Sequence, residues 1–218
     1  MASSIRENVL QANIPKHVVL MAATKGRSVE EIKQVIAVGI THIGENTIQE
    51  AAKKFPALQQ QGLTKHFIGH LQSNKAKKAV ELFDMIQSID SEKIAEKVNE
   101  AAAKIGKKML IMIQVNIGKE KTKHGVVPER VMELYQTIKK LPNISIIGLM
   151  CIAPEIPADQ TRPYFRKMKE LNDILKLQYL SMGMSNDYKI AIEEGSNMVR
   201  LGRIIFDDEW GGEVAIFK

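Results

Sequence analysis

A single lysine follows an apolar run directly, at a place where its amine could act on a ligand. The run HVVLMAAT begins at His17, Lys25 comes next, and Gly26 then allows a turn. Ser28 and Glu31 have the spacing of a helix capping box, so the pattern predicts a strand, a short turn and a helix. A desolvated lysine amine can attack a carbonyl group. Lys25 could do this, or it could be a solvated lysine at a strand end.

Two glycine-containing segments near the end of the sequence could hold an anion. The segment SMGMSND contains Ser181 and Ser185 and predicts a helix that begins at Ser185 or Asn186. The segment LGR contains Gly202 and Arg203. Glycine lets a ligand approach the backbone, and a helix N-terminus presents free N–H groups to phosphate. The same residues could instead only cap a helix and turn the chain, so both interpretations stay open.

An arginine within the last apolar run connects these features. Arg200 lies between Val199 and Leu201, where an unpaired buried guanidinium would be very costly. We therefore expect Arg200 to face a polar group. A nucleophilic lysine, two phosphate-binding segments and an inward arginine together suit pyridoxal 5′-phosphate (PLP). The lysine would take its aldehyde, the two segments its phosphate, and the arginine its ring nitrogen.

The elements that position these residues alternate regularly along the chain. Helical segments with apolar stripes, such as Phe165, Met168, Leu171 and Ile174, separate eight apolar runs: HVVLMAAT, ITHIG, HFIGH, DMIQSI, MLIMIQVN, ISIIGLMCIA, YLSMG and NMVRLG. This predicts an α/β protein, a single (β/α)₈ TIM barrel that forms one domain over residues 1–218. An open doubly wound sheet is the alternative, but no GxGxxG motif follows an early strand. Active sites of such barrels lie at the C-terminal ends of the strands, where the candidate residues fall.

Composition excludes several classes of protein. The chain of 218 residues is 44% apolar and 26% charged, which is ordinary for a globular protein. Its only cysteine, Cys151, lies in the apolar run IIGLMCIA, so we expect core packing and no disulfide within the chain. The N-terminal sequence lacks the apolar segment of a secretory signal, and no apolar run approaches about 18 residues. We therefore expect a cytoplasmic protein that does not enter a membrane.

Three other interpretations of the chemistry were considered. The net charge of +6 and the lysine clusters could attract nucleic acid, but aromatic residues are few, and we expect solvated faces and no nucleic acid. A metal could use Glu45, His66 and His70, but no further cluster has zinc-like spacing, and we expect no metal; His124 is expected to be a solvated loop residue. A Schiff-base aldolase would share Lys25 and need no PLP.

Several longer motifs resemble one known family. GENTIQE, HFIGHLQSNK, VNIGKEKTKHGV, GLMCIA, the AATK lysine and LSMGMSNDYKIAIEEGSNMVRLGRIIF are similar to motifs of the PLP homeostasis proteins, also called the YggS/PROSC family. The resemblance extends from about Val18 to Phe206, with the motifs in the same order. It implies a fold-type III barrel related to the N-terminal domain of alanine racemase. It also implies a role in intracellular PLP (vitamin B6) and amino-acid homeostasis, without an established catalytic activity.

The resemblance also implies roles for individual residues. Lys25 would hold PLP as a Schiff base, Arg200 would face the pyridine nitrogen, and Asn46 would line the cofactor. The phosphate contacts would come from Ser181, Ser185 and the backbone of Gly202 and Arg203. The chain departs from the family where RLGRIIFD replaces the usual RIGTAIFG: Arg203 replaces a threonine that helps to hold phosphate, and Asp207 replaces a glycine.

A carrier is expected rather than a catalyst. An arginine beside the pyridine nitrogen disfavours protonation of the ring, which weakens PLP as an electron sink. Racemisation needs an acid or base on each face of the substrate, and alanine racemases take the second one from another domain that this sequence lacks. A PLP-dependent racemase remains the enzyme alternative beside the aldolase. We expect a monomer whose partners are PLP and the PLP-dependent apo-enzymes that could receive it.

Overall fold

Eight parallel strands close into a barrel in this computed structural model, which describes residues 2–59 and 61–207. Each strand pairs with its neighbours in sequence, and the last pairs with the first. The strands are β1 (Val19–Ala23), β2 (His42–Glu45), β3 (Thr64–Phe67), β4 (Met85–Ile89), β5 (Met109–Val115), β6 (Ile144–Cys151), β7 (Tyr179–Ser181) and β8 (Met198–Leu201). Six of the eight lie within the predicted apolar runs, while β2 extends one residue past its run to Glu45 and β3 begins two residues before its run, at Thr64. The predicted TIM barrel is confirmed. Both ends of the predicted domain, residues 1 and 218, lie outside the described residues.

Helices cover the outside of the barrel. They are α1 (Ala2–Ala12), α2 (Val29–Ala37), α3 (Ile48–Lys54), α4 (Ala76–Leu82), α5 (Glu92–Lys104), α6 (Val131–Ile138), α7 (Arg162–Leu175), α8 (Tyr188–Glu193) and α9 (Arg203–Phe206). The sequence analysis assigned no helix to α1, which packs against α9: Asn8 Nδ2 donates to the Ile205 carbonyl at 3.2 Å. Within residues 2–59 and 61–207, no helix is both long and apolar enough to cross a membrane.

Two predicted details of the helices were wrong. In the predicted apolar stripe of α7, Phe165 and Met168 are buried, but Ile174 faces the solvent and is 65% exposed. The helix after β7 begins at Tyr188 rather than at Ser185 or Asn186. The carboxylate of Asp187 accepts a hydrogen bond from the Met184 N–H, and this tight turn delays the helix.

The core has two parts, separated by the barrel wall. Residues of the outer part, such as Val199 and Leu201, pack between the strands and the helices. Met198 and Arg200 alternate with them along β8 and therefore face the interior of the barrel. The apolar part of this interior is built on five buried methionines, Met21, Met85, Met112, Met150 and Met198. Methionine adapts its shape readily, so it can fill the space around the polar groups that share the barrel interior.

A complete capping box links the Lys25 turn to α2. Ser28 Oγ accepts from the Glu31 N–H at 3.2 Å, and a Glu31 carboxylate oxygen accepts from the Ser28 N–H at 2.7 Å. These two bonds satisfy backbone donors that the first turn of the helix would otherwise leave free. The predicted strand, turn and helix are therefore all present, and α2 begins four residues after Lys25.

Ser28→Ala is expected to lower the free energy of unfolding by about 1 kcal/mol, because the cap is lost. Ser91→Ala is the matched control, since Ser91 also precedes a helix but makes no side-chain capping bond. Urea unfolding monitored by circular dichroism measures both variants. Equal losses of stability in the two variants would contradict the contribution of the capping box.

Candidate functional site

The loops that follow β1, β7 and β8 meet at one rim of the barrel. Strands β1 and β8 are paired through Ala22 and Leu201, so the turns that follow them lie side by side. A Cβ atom placed on Gly202 would lie 3.3 Å from the Ala23 carbonyl oxygen, which shows how closely the two segments approach. Lys25 follows Ala23 by two residues and is exposed. Its amine is therefore accessible at the rim that carries Gly202.

The turn that carries Lys25 is held by charged residues of β2 and α3. The Lys54 ammonium donates to the Thr24 carbonyl at 2.9 Å and to carboxylate oxygens of Glu45 and Glu50, both at 2.7 Å. Glu45 also accepts from the Thr24 hydroxyl at 2.7 Å, and Glu50 accepts from the Gly26 N–H at 3.0 Å. The residues before and after Lys25 are thus tied to the same cluster. We call Thr24, Gly26, Glu45, Glu50 and Lys54 the turn clamp.

The electrostatics of the turn clamp make it a strong anchor. Burial alone would lower the pKa of Lys54, but the hydrogen bonds to Glu45 and Glu50 outweigh burial and raise it. Glu45 is fully buried, so removing Lys54 would leave a buried carboxylate without its counter-ion. Such a loss typically costs about 3–5 kcal/mol. The sequence analysis considered Glu45 only as a metal ligand and did not identify this role.

Arg200 is buried in the barrel interior with only 4% of its surface exposed. Its Nη1 donates to the Ser181 carbonyl and to the Ser181 hydroxyl, both at 2.9 Å, and its Nη2 donates to the Cys151 carbonyl at 2.7 Å. All three acceptors are uncharged oxygens. Burial lowers the pKa of Arg200, yet a guanidinium keeps its charge in proteins. The site therefore contains a buried positive charge, as the position of Arg200 in the last apolar run predicts.

Ser181 has partners that the sequence analysis did not anticipate. Its hydroxyl is fully buried, accepts from Arg200 and donates to the Gln87 side-chain oxygen at 2.8 Å. The side chain therefore orients Arg200 inside the barrel. A contact between this hydroxyl and phosphate would require these two hydrogen bonds to change.

The two glycine-containing segments come together through Arg203. Arg203 is exposed at the start of α9, and its guanidinium donates to the Asn186 side-chain oxygen at 3.1 Å. Ser185, next to Asn186, is only 7% exposed. The close packing of the first segment requires glycine at 183, where φ is +95° and a Cβ atom would lie 2.6 Å from the Ala191 Cβ. Arg203 thus adds a positive charge between the segments expected to bind phosphate.

Asp207, the second departure from the family pattern, also has a defined partner. Its carboxylate forms an ion pair with Arg27, which lies two residues after Lys25. The Arg27 guanidinium also lies over the Phe206 ring, 4.8 Å from the ring centroid. The end of α9 is thereby joined to the Lys25 turn.

Asn46 follows β2, the strand paired with β1, and lines a cavity of about 240 Å³. The cavity is bordered by the ends of β2, β3, β5 and β6, and its other lining residues include Gly69, His70, Gln114, Asn116, Lys123 and His124. Gly69 is required here, because a Cβ atom would lie 1.9 Å from the Asn46 carbonyl oxygen. The structure therefore places Asn46 at the mouth of the barrel, although not in direct contact with Arg200.

The three residues considered as metal ligands do not share a site. His66 lies in the barrel interior, Glu45 belongs to the turn clamp, and His70 stacks on His124 with ring centroids 3.6 Å apart. His124 is exposed, as expected, but it contacts His70.

Potential ligand atoms of His70, Asp90 and His124 do lie within 4.8 Å of one another. The two imidazole planes are nearly parallel, at 10°, so in this arrangement one ion could not lie in the plane of both rings.

Sequence reasoning missed a group of polar residues that extends from Ser181 through the barrel interior. Gln87 Nε2 lies 3.0 Å from His66 Nδ1, and His66 Nε2 lies 2.9 Å from His42 Nδ1. Gln87 and His66 are fully buried. The sequence does contain a signal for this group, a glutamine within the apolar run DMIQSI and a histidine at the start of HFIGH. Polar side chains in buried strands must find hydrogen-bond partners.

Comparison with known proteins gives consistent results over nearly the whole chain. The family described as "Alanine racemase, N-terminal domain" matches residues 2–209. The pyridoxal phosphate homeostasis protein of Aquifex aeolicus is 42% identical over 197 residues, covering 87% of this chain and 86% of the relative. The protein of the same name from Pasteurella multocida is 38% identical over 214 residues, covering 93% and 92% of the two chains.

Solved structures agree with the sequence comparison. PipY of Synechococcus elongatus PCC7942, solved without PLP, is 35% identical with a TM-score of 0.86, covering 93% of this chain and 99% of PipY. PipY with PLP bound superimposes with a TM-score of 0.83. Alanine racemase of Clostridium difficile 630 is 17% identical with a TM-score of 0.77 over 94% of this chain and 55% of that one, which shows a shared fold. The chain belongs to the alanine racemase N-terminal domain family and, within it, to the pyridoxal phosphate homeostasis proteins.

Proposed function

We propose that this chain binds PLP on Lys25 and serves intracellular PLP and amino-acid homeostasis as a carrier. The observation that carries the proposal is the arrangement of an exposed lysine amine and two glycine-containing segments at one rim, with a buried arginine in the barrel interior two residues before Gly202. Support comes from the relatives at 38–42% identity, which are named pyridoxal phosphate homeostasis proteins. Further support comes from PipY, which has been solved with PLP bound.

The donor groups of the site fit the chemical groups of PLP. Arg200 can donate a hydrogen bond to the lone pair of an unprotonated pyridine nitrogen. The backbone of Gly202 and Arg203, the Arg203 side chain and Ser185 would hold the phosphate. Gly202 leaves room for a close approach of the backbone, because a Cβ atom there would already contact the Ala23 carbonyl. Ser181 would act through Arg200, and Asn46 would line the mouth of the barrel.

The chemistry that PLP supplies is an aldehyde that condenses reversibly with a primary amine and releases water. Lys25 offers such an amine, and the turn clamp keeps the residues around it in place. The exposed position of Lys25 keeps the bond accessible to an incoming amine, as exchange requires. Arg200, a permanent cation, disfavours protonation of a neighbouring ring nitrogen, so the chain is poorly suited to stabilise a carbanion.

The tyrosines of the chain do not support the racemase alternative, which needs a second acid or base. Tyr188 is buried, and its hydroxyl donates to the Ala12 carbonyl at 3.1 Å. Tyr135 and Tyr164 pack against the outer core, and Tyr179 packs against the methionines of the barrel interior. None of these four positions supplies a second acid or base beside Lys25. The relatives are also named as homeostasis proteins rather than as enzymes.

The proposed function also implies binding partners and a location in the cell. Delivery of PLP to apo-enzymes would follow from a reversible bond to Lys25, and a monomer would leave the mouth of the barrel open to them. We also propose a cytoplasmic location, because the only cysteine, Cys151, is buried and free. Burial raises the pKa of its thiol to about 12, so this cysteine is unreactive.

Lys25→Ala is expected to abolish the covalent attachment of PLP. The purified protein is mixed with PLP and reduced with borohydride, and intact mass and peptide mapping locate the phosphopyridoxyl group. Lys53→Ala is the matched control, because it removes the same charge from an exposed lysine on α3. A similar adduct yield in Lys25→Ala and in the unaltered protein would refute the assignment of Lys25. An unaltered protein that does not take up PLP at all would refute the proposed function.

Arg203→Ala is expected to raise the Kd for PLP about fivefold, since an exposed charged contact contributes up to about 1 kcal/mol. Binding of pyridoxal, which has no phosphate, should not change. Lys189→Ala is the control, because it removes a charge of the same sign from an exposed position on nearby α8. Fluorescence titration at two salt concentrations measures all three proteins. Equal weakening of PLP and pyridoxal binding would show that Arg203 does not act on the phosphate.

A further inference from the structure

We propose that Gln87, His66 and His42 are positioning residues for Arg200. They act through Ser181, as members of a hydrogen-bond relay in which the donor and the acceptor of each bond are fixed. We call Arg200, Ser181, Gln87, His66 and His42 the interior relay. The inference deepens the proposed function and rests on it for its effect on PLP. The direction of the relay, however, is a property of the protein without any ligand.

The interior relay joins five strands across the barrel. Arg200 on β8 donates to Ser181 on β7 at 2.9 Å, and Ser181 donates to Gln87 on β4 at 2.8 Å. Gln87 then contacts His66 on β3 at 3.0 Å, and His66 contacts His42 on β2 at 2.9 Å. Four of the five residues are buried, and His42 is half-buried at the beginning of its strand. The relay thus extends from the guanidinium to the opposite end of the barrel.

The direction of each bond follows from Arg200, which can only donate, and from the orientation of the Gln87 amide, whose oxygen faces Ser181 and whose nitrogen faces His66. Arg200 can only donate, so the Ser181 oxygen accepts and its proton goes to the Gln87 side-chain oxygen. The Gln87 amide nitrogen is then the donor to His66 Nδ1. His66 must therefore carry its proton on Nε2 and donate it to His42 Nδ1. His42 in turn carries its own proton on Nε2.

The surroundings of the relay keep this direction in place. Burial, and to a smaller extent the neighbouring His42, lower the pKa of His66 to about 3. Burial also lowers the pKa of His42. A protonated His66 would donate from both nitrogens, which would force the Gln87 amide to turn over. The Ser181 hydroxyl would then lose its acceptor, and of the three hydrogen bonds of Arg200 the one to this hydroxyl would no longer be fixed.

The rest of the barrel interior offers few alternative partners to the relay. Gln87 Nε2 also reaches the Met198 sulfur at 3.2 Å, which is a weak acceptor. The apolar residues nearby include Met21, Met85 and Met112. A relay member that loses its neighbour therefore has little to replace it, and the change would pass along the relay to Arg200. This is the physical reason for a positioning role.

The first test examines the ligand-free, full-length protein by nitrogen-15 NMR of the histidine side chains at pH 7. We expect His66 and His42 to be neutral, with the proton on Nε2 in both. A proton on Nδ1 of His66, or a protonated His66, would overturn the relay. This measurement does not depend on PLP, so its failure can be distinguished from a failure of the proposed function.

The second test breaks the relay with Gln87→Met, which matches the size of glutamine and suits an interior lined by methionine. We expect the Kd for PLP to rise about tenfold and the absorption spectrum of the bound cofactor to shift, because the Ser181 hydroxyl, one of the three acceptors of Arg200, is no longer held in place. His66→Gln should retain both properties, since an amide can accept from Gln87 and donate to His42. Met112→Leu is the control for a change in the interior outside the relay.

The results distinguish a positioning role of Gln87 from a role in packing alone. A folded Gln87→Met protein with unaltered affinity and spectrum would overturn the proposal. Equal effects of Gln87→Met and Met112→Leu would also overturn it, because packing alone would then explain the change. If Gln87→Met does not fold, the histidine NMR experiment on the unaltered protein still tests the direction of the relay, and a proton on Nδ1 of His66 overturns the proposal.

Discussion

The buried guanidinium of Arg200 is the constraint around which the interior of the barrel is arranged. A permanent charge in a low-dielectric interior must be satisfied by hydrogen bonds, because desolvation alone would cost many kcal/mol. The protein meets this need with uncharged oxygens of Ser181 and Cys151 rather than with a paired carboxylate. The guanidinium therefore keeps its positive charge next to the mouth of the barrel without a carboxylate hydrogen-bonded to it, while the nearby Asp187 carboxylate favours that charge. This suits a partner that offers a lone pair or a negative charge.

The role proposed for Lys25 has the opposite requirement, an accessible amine. The protein leaves this side chain exposed but anchors the backbone on both sides of it through Thr24 and Gly26. The anchoring charges of the turn clamp belong to β2 and α3, and they are largely shielded from water. The flexible group is thus the side chain itself, while its point of attachment is held by ion pairs of Lys54 with the buried Glu45 and the partly exposed Glu50. A carrier needs this combination, since the bond must form at a defined place and still be accessible to exchange.

Much of the fold and part of the site could be predicted because local chemistry determines them. The apolar runs are buried on both faces, as parallel strands are, and the capping box at Ser28 marks the start of a helix. The role of Ser181 could not be predicted in this way. Its partner Gln87 lies 94 positions away, and only closure of the barrel brings their strands near each other. The start of α8 was misplaced for a local reason, the hydrogen bond between Asp187 and Met184.

The sequence by itself determined the number of strands and the rim on which the chemical groups lie, and it singled out Lys25 and Arg200 as candidate residues. These follow from hydrophobic periodicity and from the rule that strand ends of a barrel share one face. Only the tertiary structure decided which polar side chains face inward and which bonds they make. The relay through Gln87, His66 and His42 and the clamp through Glu45 and Lys54 each join residues from different elements. Their geometry depends on strand register and helix packing, which no local pattern encodes.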